Sequence, residues 1–256
     1  MWGYAAGIAD IRVSFTNGST LDCLRKVYPV GRFIAAAFSG SVRLGFWAIE
    51  DLTRQLELPV ANADASWKPG WVAFKWWRHA RRAFAQASAE ERALGLQILL
   101  LGVSAAADLG IPWFPRPTVV VFKSPEFRPK FVEVNAVAAI GSGAAVEVYM
   151  ARLREFGRSP LWQLESAGPG ASMAAFTYII HRTIVDHPTA QVSPHLHLCL
   201  VRRGEVAIAN NDAPTIFSDG RREELRMPPR NLSMRMRQRV HEISVGSLPP
   251  LSAPTE

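Results

Sequence analysis

Apolar and polar positions along this chain follow two periods. Residues 5–15, 26–30, 32–38, 94–103, 118–123 and 131–140 are short runs rich in aliphatic and small side chains, and they predict strands. Thr16-Asn17-Gly18-Ser19 reads as the turn after the first of them, and residues 59–69 as a loop. Helical spacing begins after Ser41, where Val42, Gly45, Phe46, Ile49, Leu52 and Leu56 share one face and Ser41 serves as N-cap. Residues 71–87 predict a second helix. A third follows Gly143 and carries Val146, Tyr149, Met150, Leu153 and Phe156 on one face. A fourth, over 173–187, aligns Phe176, Ile179, Ile180, Thr183, Ile184 and His187. Residues 195–202 and 205–209 then form a hairpin about Arg203-Gly204. The order is strands, two helices, strands, two helices, strands. Helices covering both faces of a largely antiparallel double sheet fit that order, which makes the fold class α+β.

Two Gly/Ser turns stand out against this pattern: Phe38-Ser39-Gly40-Ser41 and Ile140-Gly141-Ser142-Gly143. Each follows small and apolar residues and is expected to feed an amphipathic helix directly. Hydroxyls and backbone N–H groups gathered at such turns suit chemistry on a polar or anionic group.

Composition narrows the classes. With 256 residues, 48% of them apolar, the chain can bury a sizeable core. A formal charge of +7 permits an anionic partner without naming one. Two cysteines, Cys23 and Cys199, fit a reducing compartment better than a disulfide framework. Met1-Trp2-Gly3-Tyr4 lacks a basic leader, and the longest apolar run, 98–103, is far too short to cross a bilayer. A soluble cytoplasmic protein without a membrane partner is expected. Beyond Asn210 the composition turns to Arg, Pro and Ser, so residues 213–256 read as a basic, partly disordered extension of a domain spanning 1–212.

The stretch RKVYPVGRFIAAAFSGSVRLGFWAIEDL resembles the region after the first hairpin of proteasome-type N-terminal-nucleophile (Ntn) hydrolases, and AIGSGAAVEVYMARL resembles their Ile-Gly-Ser-Gly turn and following helix. The comparison runs from Gly7 to about Ala209 and includes the bacterial proteasome-like peptidases that work with an unfoldase ring. The resemblance implies a four-layer αββα sandwich.

Its chemistry is a threonine-type peptide or amide hydrolysis, in which an amino-terminal threonine attacks and its freed α-amine acts as base. A nearby cation favours the deprotonated nucleophile. By the resemblance, Asp10 and Lys26 tune that pair, Ser142 positions the amine, and Gly40 lies on the turn whose backbone N–H forms the oxyanion hole. Asp186 and Ser193 fall in the region of a second Asp/Ser pair, with altered spacing. Matching Asp10 and Lys26 to the family puts the nucleophile several residues before Met1 and truncates the opening strand. Catalysis is therefore conditional on that nucleophile. The alternative is a catalytically inactive scaffold or partner-binding relative. The resemblance also implies a homo-oligomer, peptide or protein substrates, an unfoldase as a partner, and no cofactor.

Other constellations carry less. The surroundings of Ser142 are not Gly-x-Ser-x-Gly, which argues against a nucleophile elbow. His195, His197 and Cys199 alternate and so share a strand face that is able to bind zinc. A strand with that polar face exposed and Leu196, Leu198 and Leu200 inward explains the alternation without metal, and no metal site is expected. Residues 68–82 set Lys68, Lys75, Arg78, Arg81 and Arg82 among Trp71, Phe74, Trp76 and Trp77. Such a segment suits single-stranded nucleic acid. It equally suits a helix whose tryptophans pack on a sheet or a second subunit, and this second reading is preferred over nucleic acid. Residues 221–239, with seven arginines against Glu223 and Glu224, pose the same choice between an anionic-partner arm and a subunit-bridging extension.

Overall fold

The computed structural model of the chain describes residues 4–15, 17–22, 24–31, 34–57, 69–104, 116–133, 136–158, 168–202 and 205–208. Cys23, most of the 59–69 loop, the Arg203-Gly204 turn and the extension beyond Ile208 lie outside them. Ten strands are described: β1 (Tyr4–Asp10), β2 (Arg12–Ser14), β3 (Thr20–Asp22), β4 (Val27–Gly31), β5 (Ile34–Gly40), β6 (Leu96–Ser104), β7 (Arg116–Lys123), β8 (Lys130–Val132), β9 (Leu196–Arg202) and β10 (Glu205–Ile208). The helices are α1 (Val42–Glu57), α2 (Pro69–Ala85), α3 (Ala89–Leu94), α4 (Glu147–Arg158) and α5 (Gly168–Asp186). The chain is α+β, as expected. None of the described helices is long and apolar enough to cross a membrane.

Five strands form one antiparallel sheet in the order β4-β5-β6-β7-β8, three form another in the order β1-β9-β10, and β2-β3 is a separate hairpin. Period-2 alternation sorts the larger sheet into two apolar faces. Ile34, Ala36 and Phe38 of β5, with Ile98 and Leu100 of β6, join Phe46, Ile49 and Leu52 of α1 and Trp76, Ala80 and Phe84 of α2 in one core. The intervening residues Ala35, Ala37, Leu99, Leu101 and Val121 face the smaller sheet, where Ala5, Cys199 and Val201 complete a second core. On the far side of the smaller sheet, Ile8 and Leu196 meet Tyr149 of α4 and Ile180 and Ile184 of α5. Both faces of β5 and β6 are thus buried, which is why their sequences read as continuous apolar runs.

Several boundaries differ from the periodicity. The first run breaks at Ile11, which is fully buried and whose carbonyl accepts from the Leu24 N–H at 2.8 Å. The run over 94–103 starts as helix, because Ser88 caps α3. Its Oγ accepts from Glu91 N–H at 3.2 Å, while Glu91 Oε2 accepts from Ser88 N–H at 3.1 Å. Of the described residues of the 131–140 run, only Phe131 and Val132 enter a ladder, as part of β8. The second Gly/Ser turn does not feed its helix directly: a 3-10 turn, Ser142–Ala145, intervenes before α4. The first does, and Ser41 Oγ accepts from Leu44 N–H at 3.3 Å as its cap.

Two contacts hold the α1/α2 side. Asp51 of α1 is buried, and Trp76 Nε1–H of α2 donates to its Oδ2 at 2.9 Å, while Arg54 and His79 approach its other oxygen. Gly45 of α1 lies directly on the Phe38 ring, and a Cβ there would overlap the ring carbons. Gly45→Ala is therefore expected to destabilise the fold by about 1–3 kcal/mol through overpacking, although alanine is the better helix former by roughly 1 kcal/mol. Urea unfolding measures this, and a net gain in stability would show that the Phe38 ring gives way freely.

Candidate active site

The ends of β1, β5 and the 136–144 segment converge on a cleft of about 680 Å³. Its polar lining includes Asp10, Arg12, Lys26, Ser39, Gln97 and Ser142, and Gly40 and Gly141 also border it. Four of the residues singled out from sequence, Asp10, Lys26, Gly40 and Ser142, therefore share one cavity.

Asp10 ends β1 and Lys26 directly precedes β4, so each is aimed from the end of a strand whose body is fixed in the core. Lys26 Nζ donates to both Asp10 oxygens, at 3.0 and 3.1 Å, and both side chains are largely withdrawn from solvent. Asp10 Oδ1 also accepts from the Arg12 N–H at 2.8 Å, which closes a tight turn between β1 and β2.

The two Gly/Ser turns meet at this cleft. Gly40 and Gly141 adopt φ of 97° and 78°, the left-handed region where a side chain is strained. A Cβ on Gly40 would strike the Gly95 carbonyl, and one on Gly141 would sit 3.0 Å from the Ser39 Cβ. Gln97 lies opposite Ser39 in the β5–β6 ladder, and its Oε1 accepts from the Gly141 N–H at 3.3 Å. One turn is thus pinned on top of the other. Ser142 Oγ donates to the Gln191 carbonyl at 3.1 Å rather than capping a helix.

Asp186 and Ser193, grouped by the resemblance, do not pair with each other. Asp186, at the end of α5, is exposed and pairs with Arg182 one turn earlier at 3.0 Å. Ser193 is fully buried and donates to Asp22 Oδ2 at 2.7 Å, while its Oγ accepts from His195 N–H at 3.1 Å. Asp22 escaped the sequence reading, and so did its main partner. Arg12 grips it with two bonds, Nε to Oδ1 at 2.7 Å and Nη2 to Oδ2 at 2.9 Å, and its Nη1 donates to the carbonyls of Thr189, Ala190 and Val192. The alternation of Asp10 and Arg12 about a buried Ile11 was the available signal; the partner lies across a hairpin and left none.

Burial pushes the Asp22 carboxyl upward, but the hydrogen bonds from Arg12 and Ser193 and the Arg12 charge outweigh it, and its pKa is held below the ordinary carboxylate value. Asp22 in turn raises the Arg12 guanidinium, chiefly through their hydrogen bond.

The strand carrying His195, His197 and Cys199 corrects an expectation. Those side chains are buried, not exposed, and Cys199 faces the larger sheet, while Leu196 packs under the helices. Alternation fixed which residues share a face, but β9 is covered on both faces. No group of three metal-ligating side chains occurs among the described residues. Burial pushes the Cys199 thiol up to about 12. The basic segment likewise divides: Trp76 is buried against the sheet, while Phe74, Lys75, Arg78, Arg81 and Arg82 face outward from α2.

Two outcomes follow from these shifts. A depressed folded-state pKa means that the Asp22 contribution is present above about pH 4, the ordinary carboxylate range, and is lost as pH falls through the folded value. Asp22→Asn is expected to lower stability at pH 7 by ~1–3 kcal/mol, and the gap from wild type should shrink in urea titrations at pH 3. Cys199 is expected to resist alkylation in the folded protein and to react on unfolding, as peptide-level mass spectrometry will read; rapid labelling of the native state would contradict its burial. Compared with known proteins, the chain matches no family model and no curated protein.

Proposed function

We propose that this chain is a proteasome-like Ntn hydrolase domain of four-layer αββα architecture, acting on peptide or amide bonds when a Thr, Ser or Cys nucleophile precedes Met1. The observation that carries this reading is the Lys26–Asp10 pair in a cleft bordered by both Gly/Ser turns. The packing order supports the architecture: helices α1 and α2, the five-stranded sheet, the three-stranded sheet, then α4 and α5.

In this reading the nucleophile's hydroxyl gives its proton to the chain's own α-amine and attacks the substrate carbonyl carbon. The Lys26 ammonium, oriented by two bonds to Asp10, stabilises negative charge at the attacking oxygen. The backbone N–H at Gly40 faces the developing oxyanion, and Ser142 orients the amine. The amine then protonates the leaving nitrogen, and water releases the acyl group by the same route in reverse. Asp22, Arg12 and Ser193 act behind this set by fixing the 189–193 loop, on whose Gln191 carbonyl Ser142 depends. The proposal extends to a cytoplasmic homo-oligomer with an unfoldase partner.

A second reading, a non-catalytic scaffold, is favoured by Phe74 on α2 and Tyr178 on α5, each 69% exposed on the outer faces of the helices. Such aromatic side chains suit contacts between subunits or with a partner.

Intact mass and N-terminal sequencing of the native protein, with turnover of fluorogenic peptides, separate the two. The hydrolase reading expects an exposed nucleophile and a loss of at least about 10²-fold in kcat for Lys26→Ala, the range for removal of an acid–base or charge-stabilising group. Turnover untouched by Lys26→Ala overturns the assignment. A native chain with no such nucleophile and no turnover, but a defined oligomer in light scattering, establishes the scaffold.

A further inference from the structure

The outer face of α2 stands apart from the cleft, and no described residue of this helix lines it. Val72, Ala73, Trp76, Ala80 and Phe84 bury the inner face, against the side of the larger sheet that is turned away from the smaller one. On the opposite face Phe74, Arg78, Arg81 and Ala85 follow one another about a turn apart, with Lys75 and Arg82 on their flank, and all of these are exposed. Residues 69–85 contain no acid. From Gly70 to Ala85 the face is about 20 Å long.

The arginines of this face differ from those of the other long helices. Arg43 and Arg54 of α1, Arg152 and Arg154 of α4 and Arg182 of α5 each bond a carboxylate. Arg78, Arg81 and Arg82 bond none among the described residues, and Arg78 instead lies over the Trp77 ring, 5.4 Å from its centroid. A guanidinium held by a ring keeps its charge uncompensated. Arg92 of α3 donates to the Ala85 carbonyl at 3.1 Å and carries the positive strip past the helix end. The exposed acids of the neighbouring elements are Glu50 of α1, Glu90 of α3, and Glu126 and Glu133 on either side of β8. None of them forms an ion pair with a described residue of α2, and Glu126 and Glu133 are outnumbered by the exposed Lys123, Arg128 and Lys130 around them.

Two exposed rings belong to the same strip. Phe74 is 69% exposed, and Phe131 of β8 is 47% exposed. Phe131 pairs with Val120, a residue of the core under α1 and α2, so it stands on that side of the sheet at its edge. Its ring reaches the start of α2: a Cβ on Gly70 would lie 3.6 Å from Phe131 Cε1, and Phe74 follows Gly70 by one turn. We infer that this face binds single-stranded nucleic acid, with phosphates on Lys75, Arg78, Arg81 and Arg82 and unstacked bases against Phe74 and Phe131. An acidic polypeptide answers the charge but leaves the rings idle, and a duplex keeps its bases stacked away from them. A second copy docked through the same face would set arginine against arginine. Phosphates and base faces are common to DNA and RNA, so both are candidate ligands. The inference rests on neither reading of the cleft, which lies across the larger sheet from α2.

The test uses the Met1–Glu256 chain and fluorescein-labelled oligothymidylate and oligouridylate of about 12 nucleotides, with binding read by fluorescence anisotropy. Saturable binding is expected for at least one of them. Four phosphate contacts predict that its affinity falls by about 50-fold between roughly 50 and 200 mM salt. Arg78→Ala combined with Arg81→Ala is expected to flatten that fall to about sevenfold. Phe74→Ala is expected to weaken binding at least about fivefold while leaving the salt dependence unchanged. All three side chains are exposed, so neither variant disturbs the core. No binding at the lowest salt overturns the inference. Binding that both variants leave unchanged also overturns it, because the ligand would then sit elsewhere, as on the arginines of 221–239. Equal affinity for a duplex of the same length, or for polyglutamate of equal charge, would show that charge alone is read and would overturn it too. The assay involves no turnover, so its outcome and that of the Lys26→Ala assay are separate.

Discussion

The close approach of β1 to β6 is the constraint on which the rest of the cleft depends. Gly7 faces the larger sheet with no side chain, and a Cβ there would come within 2.5 Å of Leu101 Cδ1. With Ala5 and Ala9 on the same face of β1, the small residues let the two sheets close where larger ones would hold them apart. That closeness sets the height of β1 against β4, and with it the reach of Asp10 to Lys26. The charge pair thus depends on side-chain volume in the core between the sheets as well as on electrostatic attraction.

A second constraint joins distant parts of the chain. Arg12 alone ties the β2–β3 hairpin to three carbonyls of the loop before β9, and Asp22 accepts both from it and from Ser193 of that loop. With Ser142 resting on Gln191, the loop is held from two directions. A guanidinium that satisfies a carboxylate and several carbonyls at once is well suited to such a junction, since its fork supplies five donors in a plane and no lysine has that geometry.

Local signals in the sequence were accurate where one element's own residues decide its structure. Ser41 caps α1, and the apolar face of that helix follows the 3.6 spacing because burial against β4 and β5 agrees with propensity. The capping box of Ser88 and Glu91 was equally legible, but a neighbouring apolar run masked it. Asp10 and Lys26 were placed in a common site through resemblance to a family, whereas Arg12 and Asp22 depend on a pairing of hairpin and loop that no local pattern encodes. His195 and His197 show the limit of alternation most plainly. The period identifies two faces of a strand, but which face meets water is decided by whatever packs there, and β9 has a sheet on one side and helices on the other.

The recessed edge of β1 also bears on how this protein behaves in concentrated solution. Residues 4–9 contain neither a charge nor a proline, the two devices that usually keep an exposed strand edge from recruiting its like. Protection here comes from depth instead: the 136–140 segment and residues of helices α4 and α5 line the cleft beside the edge. The colloidal stability of the molecule is thereby entrusted to the walls of its cleft, and loosening α4 or α5 would expose a template for self-association long before the central sheet itself was disturbed.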